Sequence, residues 1–197
     1  MAHPLSDARF LQSASDVRQL GPCHAEVAFV GRSNVGKSSL LNALVHQKTL
    51  ARVSRTPGRT RLINVFTVGD PDRWIVDLPG YGHASGPRHE RDEWQGMIER
   101  YLAKRPSLRM VFVLIDAEVG PTALDAQMLE WLVSRRLPAV VVANKLDKVK
   151  PSRRETQVRE IAASLGRRPE AMAWVSAAKG TGIPELRSVV ASLLSSD

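Results

Sequence analysis

A glycine-rich loop that ends in lysine and serine has the composition of a phosphate-binding site. Residues 31–44 read GRSNVGKSSLLNAL, with a glycine at each end of the loop before Lys37 and Ser38. Glycines let the backbone curl so that successive N–H groups point at one anion, while lysine adds charge and serine can bind Mg²⁺. The pattern predicts a nucleoside triphosphate held by Gly31, Arg32, Ser33, Asn34, Val35, Gly36, Lys37, Ser38 and Ser39.

A second polar loop, Asn144-Lys145-Leu146-Asp147, indicates which base the nucleotide carries. The Asp147 carboxylate can accept hydrogen bonds from the ring N–H and the exocyclic amine of guanine, whereas adenine lacks that amine. Asn144 is expected to fix the loop and reach the base edge, and the alkyl stem of Lys145 to cover the base. The loop after the last predicted strand can offer a backbone N–H to the guanine oxygen, and its residues are Ser176, Ala177 and Ala178.

Two further segments supply groups for the metal and the terminal phosphate. Asp77 is expected to hold Mg²⁺ through a water, and the Gly80 N–H to meet the γ-phosphate. Thr56 and Thr60 both offer hydroxyls for the remaining magnesium position, and Thr60 is preferred because it lies beside a strand. The predicted metal ligands are therefore Ser38, Thr60 and Asp77, and the predicted catalytic groups are Asn34, Lys37, Thr60 and Gly80. The glycine-rich stretch 80–86 is expected to rearrange when the γ-phosphate leaves.

Alternating strand and helix patterns must position these loops. Short apolar runs at 27–30, 62–68, 74–76, 110–115, 139–143 and 173–175 predict six strands, and helical periodicity fills most of the gaps. This order predicts an α/β fold of the P-loop NTPase type, with a mostly parallel sheet, helices on both faces, and ligands at the carboxyl ends of the strands. The turn at 69–73 predicts one antiparallel hairpin. Residues 1–24 are predicted to be an N-terminal arm and 25–197 a G domain.

Composition limits the partners and the location. The 197 residues fit one domain, and 28 Lys and Arg against 20 Asp and Glu give a charge of +8, which favours an anionic partner such as RNA or an acidic membrane. No apolar run is long enough to span a bilayer and no signal segment is present, so we expect a cytoplasmic protein without stable membrane association. A single cysteine, Cys23, excludes an internal disulfide and indicates no zinc site.

Four segments together resemble the EngB/YsxC (YihA) family of ribosome-biogenesis GTP-binding proteins, within the Era-like GTPases. They are GRSNVGKSSLLNAL, RTPGRTRLINVF, DLPGYGHA and the NKLD loop, and the similarity extends over about residues 10–194. The resemblance implies a monomeric GTPase that acts in large-subunit assembly, contacts its rRNA and is linked to cell division. The chain departs from the family pattern at Asn144, where threonine is common, and at Glu118, where a basic residue is common.

The role of Asn34 has two interpretations at this point. Tyr81 stands where many GTPases have a glutamine that orients the attacking water, so hydrolysis needs another source of positive charge. The side-chain carbonyl of Asn34 could coordinate K⁺ against the phosphate oxygens, as the resemblance to cation-dependent Era-like GTPases also implies. Alternatively, Asn34 only forms hydrogen bonds within the loop. Turnover without an activator is expected to be slow.

Basic residues near the segment 56–60, the predicted first switch, suggest where RNA could bind. Arg52, Arg55, Arg59 and Arg61 surround this segment, so RNA affinity could depend on the bound nucleotide. Two alternative functions stay open, namely the G domain of an RNA-modification or transport system and a P-loop phosphotransferase. The phosphotransferase leaves the NKLD loop and the paired switch segments unexplained.

Overall fold

A seven-stranded mixed sheet forms the centre of the protein. The computed structural model describes residues 4–47, 49–50, 62–81 and 88–195, with side chains in the second helix from residue 96 onward. The strands are β1 (Ala8–Ala14), β2 (Ala25–Gly31), β3 (Ile63–Val68), β4 (Asp70–Asp77), β5 (Leu108–Asp116), β6 (Ala139–Asn144) and β7 (Met172–Trp174). Their order in the sheet is β1-β3-β4-β2-β5-β6-β7. The α/β prediction is confirmed.

The predicted strand count of six was wrong, because β1 lies within the segment predicted to be an arm. This strand pairs antiparallel with β3 at the sheet edge. The predicted antiparallel hairpin is confirmed for β3 and β4, which turn through Gly69 with a φ of 68°. The other pairings, β4 with β2, β2 with β5, β5 with β6 and β6 with β7, are parallel. The division into an arm at 1–24 and a G domain at 25–197 stays a prediction.

Helices cover both faces of this sheet, as predicted. They are α1 (Lys37–Leu44), α2 (Arg88–Lys104), α3 (Ala123–Ser134), α4 (Arg154–Ser164) and α5 (Ile183–Ser195). One apolar core contains α1 and α5, with Leu40 and Leu186 among its buried residues. The other contains α2, α3 and α4, with Leu102 and Leu132 among its buried residues. No helix in the described part of the chain is both long and apolar enough to cross a membrane.

Side chains of β2 and β5 show how the two cores are separated. Successive residues of a strand point to opposite faces of the sheet. Val30 and Val113 accordingly pack in the core with α2, α3 and α4, whereas Phe29 and Phe112 pack in the core with α1 and α5. The rings of Phe29 and Phe112 are stacked with centroids 4.8 Å apart. The phosphate loop begins at the carboxyl end of β2, so the packing of these two buried central strands holds the start of the loop in place.

Candidate functional site

The phosphate loop connects the carboxyl end of β2 to the first turn of α1, and its two glycines are required by close contacts. A Cβ atom on Gly31 would lie 2.8 Å from the carbonyl oxygen of Leu114 on the neighbouring strand. Gly36 has a φ of 91°, and a Cβ there would lie 2.6 Å from Nδ2 of Asn144. Any side chain at either position would therefore displace the loop from β5 or from the loop that follows β6.

The start of α1 presents the groups that an anion needs. The first N–H groups of a helix have no intrahelical acceptor, and those of Lys37, Ser38 and Ser39 lie in this turn. The Lys37 ammonium forms an ion pair with the Asp77 carboxylate at the end of β4, and both side chains are nearly buried. The predicted phosphate-binding lysine and the predicted magnesium-binding aspartate thus lie side by side.

The segment after β4 is attached to the phosphate loop by backbone hydrogen bonds. Tyr81 N–H donates to Gly31 O at 3.1 Å, and Ser33 N–H donates to Tyr81 O at 3.0 Å. Between them, a Cβ on Gly80 would come within 3.2 Å of Gly31 O and Ser33 N, closer than ordinary van der Waals contact. Gly80 therefore lies directly against the loop that would hold the phosphates, as its predicted contact with the γ-phosphate requires.

Tyr81 is buried and its hydroxyl points away from the phosphate loop. The hydroxyl donates to Asp125 Oδ1 at 2.6 Å, and only 4% of the tyrosine is exposed. The other oxygen of Asp125 accepts from Thr122 N–H and Thr122 Oγ1, which caps the start of α3. Burial, followed by the nearby Asp125 carboxylate, raises the pKa of Tyr81 well above its usual value, so the hydroxyl keeps its proton. Tyr81 therefore joins the segment after β4 to α3, and its hydroxyl is engaged by Asp125.

Asn144 connects the phosphate end of the site to the guanine end. Its Nδ2 donates to Val35 O at 3.1 Å and to Gly36 O at 3.4 Å in the phosphate loop. Its Oδ1 accepts from Ala177 N–H at 3.1 Å in the loop after β7. The side chain is 1% exposed, so these bonds use its donors and its acceptor in place of water. The predicted loop-fixing role agrees with this geometry.

Lys145 has the conformation and contacts that its predicted place over the base requires. Its backbone is left-handed, with a φ of 65°. Its ammonium donates to Asn34 O at 2.8 Å and pairs with Asp116 Oδ2 at 2.7 Å, which holds the alkyl stem across the site. Asp116 was missed by sequence reasoning, although its place at the end of an apolar strand beside β6 was a usable signal.

Asp147, the carboxylate predicted to read guanine, is oriented by the neighbouring loop. Ser176 Oγ donates to Asp147 Oδ1 at 2.6 Å, and Ser176 Oγ itself accepts from Lys179 N–H at 3.0 Å. Because Ala177 N–H is already bonded to Asn144, the exposed Ala178 is better placed to offer an N–H to the guanine oxygen. Across the described ranges, no hydrogen bond from Ala178 N–H is found. The site residues predicted at 144–147 and 176–178 therefore lie together.

Residues that could hold Mg²⁺ lie beside the predicted phosphates. Ser38 and Asp77 supply a hydroxyl and a carboxylate oxygen on neighbouring elements, and Mg²⁺ prefers oxygen ligands and keeps several waters and phosphate oxygens. Among the residues that the structure describes, no group of three His, Cys, Asp or Glu side chains could hold a metal. The donor set thus fits an ion whose other ligands come from the nucleotide and water.

Several predicted residues lie outside the described part of the chain. They are Thr56 and Thr60, and Arg52, Arg55, Arg59 and Arg61 around the first switch. Residues 82–86 of the glycine-rich stretch 80–86 also lie outside it. The predicted metal ligand Thr60 and the predicted arginine surface therefore stay predictions.

Sequence comparison agrees with this site. A family described as 50S ribosome-binding GTPases matches residues 26–145 of the chain, a range that contains the phosphate loop, Asp77, Gly80 and Asn144. The GTP-binding protein EngB of Roseobacter denitrificans is 46% identical over 175 residues, which cover 87% of this chain and 81% of that relative.

Solved structures give the same fold. A crystal structure of a GTP-binding protein EngB superposes with a TM-score of 0.70 over 86% of this chain and 98% of that one, and its 24% identity shows the fold alone. Era in complex with MgGDPNP and a segment of 16S ribosomal RNA is 25% identical, with a TM-score of 0.63 over 90% of this chain and 59% of that one.

Proposed function

Because this chain belongs to the EngB family of GTP-binding proteins and hydrolyses GTP, we propose that it acts as a nucleotide-controlled switch in assembly of the large ribosomal subunit. The observation that carries the proposal is the match of residues 26–145 to the 50S ribosome-binding GTPases. A formal charge of +8 supports an rRNA partner, because phosphate contacts dominate affinity for nucleic acid. We further propose a cytoplasmic monomer.

The proposed division of roles in the site follows its geometry. Lys37 and the N–H groups at the start of α1 hold the phosphates, and Gly80 meets the γ-phosphate beside them. Ser38, Asp77 and Thr60 hold Mg²⁺, which neutralises phosphate charge when it is bound. Loss of the γ-phosphate changes the contact at Gly80, which is bonded through Tyr81 to the phosphate loop. This link gives the segment after β4 its sensitivity to the nucleotide.

Base specificity tests the proposed guanine loop. In Asp147→Asn an acceptor becomes a donor, so preference should move from guanine toward xanthine nucleotides. Calorimetry with GDP, GTP, ATP and XDP measures the change, and Asp116→Asn is a matched control because Asp116 contacts Lys145 rather than the base edge. Equal affinity of the wild type for ATP and GTP would disprove the assignment of residues 144–147.

Depletion of the protein tests the ribosomal role. Sedimentation of ribosomes from depleted cells should show an incomplete large subunit, and cell division should slow because growth needs new ribosomes. Normal ribosomes with altered tRNA modification would instead favour the G domain of an RNA-modification system. Purified protein should bind large-subunit particles more tightly with GTP than with GDP, and charge reversal at Arg59 or Arg61 should reduce the salt dependence of this binding.

We also propose that Asn34 takes part in K⁺-stimulated hydrolysis. Asn34 has a φ of 67°, a conformation that asparagine tolerates better than most residues, so its backbone alone is a sufficient structural reason for the residue type. Two variants separate the interpretations. Asn34→Gly removes the side chain but keeps the left-handed backbone, whereas Asn34→Ala removes the side chain and strains the backbone.

Turnover in K⁺ and in Na⁺ at fixed ionic strength gives the answer, with GDP affinity measured alongside. Loss of the K⁺ preference in Asn34→Gly would support the side-chain ligand. If the wild type shows no K⁺ preference, or Asn34→Gly retains it, the coordinating role is wrong and Asn34 serves the loop backbone.

A further inference from the structure

Three loops at the amino edge of the sheet carry unusually many arginines. Each loop leads into one of the neighbouring parallel strands β5, β6 and β7, so all three lie at the edge opposite the nucleotide. We call the cationic residues of these loops, and of the helix end and strand start that flank the first loop, the amino-edge face; they are Lys104, Arg109, Arg135, Arg136, Arg167 and Arg168.

Strand register places these loops next to one another. Val111 pairs with Ala139, and Val141 pairs with Met172, so the three strands begin within a few residues of a common level. Adjacent strands are about 4.8 Å apart, and the three loops therefore span roughly 10 Å across the sheet. A surface of this width can contact more than one backbone phosphate, because phosphates recur within a few ångströms along each strand.

The positive charge of this face is not neutralised within the described chain. Arg105, in the same first loop, is excluded from the face because it pairs with the buried Glu26 at 2.6 Å. No ion pair is found there for the six cations of the face. Arg109 Nε is buried and has no hydrogen-bond partner. Glu130 on α3 and Glu170 in the loop before β7 form no ion pair with these cations in the described residues.

We propose that the amino-edge face binds the phosphate backbone of RNA in either nucleotide state. Five of its six cations are arginines, whose planar guanidinium matches phosphate geometry with two hydrogen bonds. A membrane surface is a poorer match, because Val133 is the one large apolar side chain among residues 133–136. That the RNA is ribosomal rests on the proposed function, whereas the phosphate contact does not.

A triple variant tests this surface without disturbing the site. Arg135→Gln, Arg136→Gln and Arg168→Gln alter exposed side chains, so the variant should fold, and thermal unfolding verifies this. The probe is a fluorescein-labelled RNA duplex of two helical turns, titrated at several salt concentrations with GDP-bound and GTP-bound protein. We expect at least about a tenfold loss of affinity, and a salt slope smaller by about two to three. The ratio of affinities in the two nucleotide states should not change.

A matched triple variant removes the same charge elsewhere. Arg9→Gln, Arg18→Gln and Arg159→Gln also lower the formal charge from +8 to +5, but each of these arginines already pairs with a carboxylate. The proposal would be overturned if both triple variants lost the same amount of RNA affinity. It would also be overturned if the amino-edge variant bound the duplex as tightly as the wild type does. A loss in only one nucleotide state would also overturn it, as would arginine-dependent binding to phosphatidylglycerol vesicles without binding to the duplex. Normal large subunits after depletion would refute the ribosomal role alone.

Discussion

Asn144 shows how one side chain makes two ends of a site depend on each other. Its side chain donates hydrogen bonds to Val35 and Gly36 in the phosphate loop, which lie more than a hundred positions earlier in the chain. It also accepts a hydrogen bond from Ala177 in the predicted guanine loop, about thirty positions later. The Asn144 side chain is 1% exposed, so these groups depend on the amide rather than on bulk water for their hydrogen bonds. Phosphate and base contacts should therefore weaken together when Asn144 changes.

Replacement of Asn144 by alanine should reduce both stability and nucleotide binding. Asn144→Ala leaves the Val35 carbonyl and the Ala177 N–H without partners, which costs about 1–3 kcal/mol in the free energy of unfolding. Asn144→Thr should cost less, because a hydroxyl can donate and accept. Urea unfolding and GDP calorimetry measure the two effects. Equal GDP affinity in the wild type and Asn144→Ala would contradict the coupling.

Removal of the Tyr81 hydroxyl should reduce GTP turnover. Its bond to Asp125 holds the backbone that contacts Ser33, so Tyr81→Phe should lower turnover roughly two- to thirtyfold, a coupling of about 0.5–2 kcal/mol. Tyr101→Phe is the matched control, since its buried hydroxyl also donates to a carboxylate, Glu26, at 2.8 Å but far from the site. Both variants should lose stability. Unchanged turnover in Tyr81→Phe would show that the bond is only structural.

Sequence spacing predicts residues that would face the ligand but not those that support them. Lys37 and Asp147 occur in short motifs whose chemistry is local, so their type and order are enough for the prediction. Tyr81 bonds Asp125, and Lys145 bonds Asp116, across distances set by the register of β5 and β6 and by the position of α3. No local pattern encodes that register, and these contacts became visible only in the folded chain.

Strand β1 escaped prediction because a bulge interrupts its alternation. The pairing with β3 skips Leu11, between Phe10 and Gln12. This bulge adds one residue to β1, so the alternation of its side chains between the two faces of the sheet is interrupted there. Phe10 and Leu11 are both largely exposed, which also removes the burial pattern that marks a strand. The ring of Phe10 contacts Phe66 edge-on at 5.9 Å. The central strands were predictable because both of their faces are buried and their sequences are continuously apolar.

A buried acidic residue, Glu26, joins three elements at the amino edge of the sheet. Its replacement by a neutral residue should strongly reduce stability. Glu26 on β2 accepts from Tyr101 on α2, from Arg105 and from Ser107, and it is fully buried. Glu26→Gln leaves the Arg105 guanidinium without its counter-charge, so we expect a loss of about 3–5 kcal/mol in the free energy of unfolding.

The control for this effect is an exposed pair on α4. Glu155→Gln, which breaks a surface pair with Arg159, should change the free energy of unfolding by less than about 0.5 kcal/mol. Urea unfolding measures both variants. If Glu26→Gln lowered the free energy of unfolding by no more than Glu155→Gln does, the amide would replace the buried carboxylate without penalty.

The polarity of the parallel sheet separates two kinds of surface in the whole molecule. The carboxyl edge carries loops from β2, β4, β6 and β7 that converge on the proposed nucleotide site. The amino edge carries the Glu26 cluster and the amino-edge face, which have no bonded connection to those loops in the described residues. Contacts at the carboxyl edge can therefore depend on the bound nucleotide. The proposed RNA contacts at the amino edge would hold the protein on its partner in both nucleotide states.

Nucleotide binding should stabilise the whole fold, since the site exists only when distant segments meet. Residues 31–38, 144–147 and 176–178 come together through Asn144, and an unfolded chain cannot bind GDP in this way. GDP at a hundredfold excess over its Kd should add about 2.7 kcal/mol, which raises the Tm by roughly 5–10 °C for a chain of this size. ATP at the same concentration should leave the Tm unchanged. Calorimetric scans of wild type and Asp147→Asn with GDP, XDP and ATP provide the comparison. If ATP raised the wild-type Tm as much as GDP does, the stabilisation would come from the phosphates alone and the guanine loop would not contribute to it.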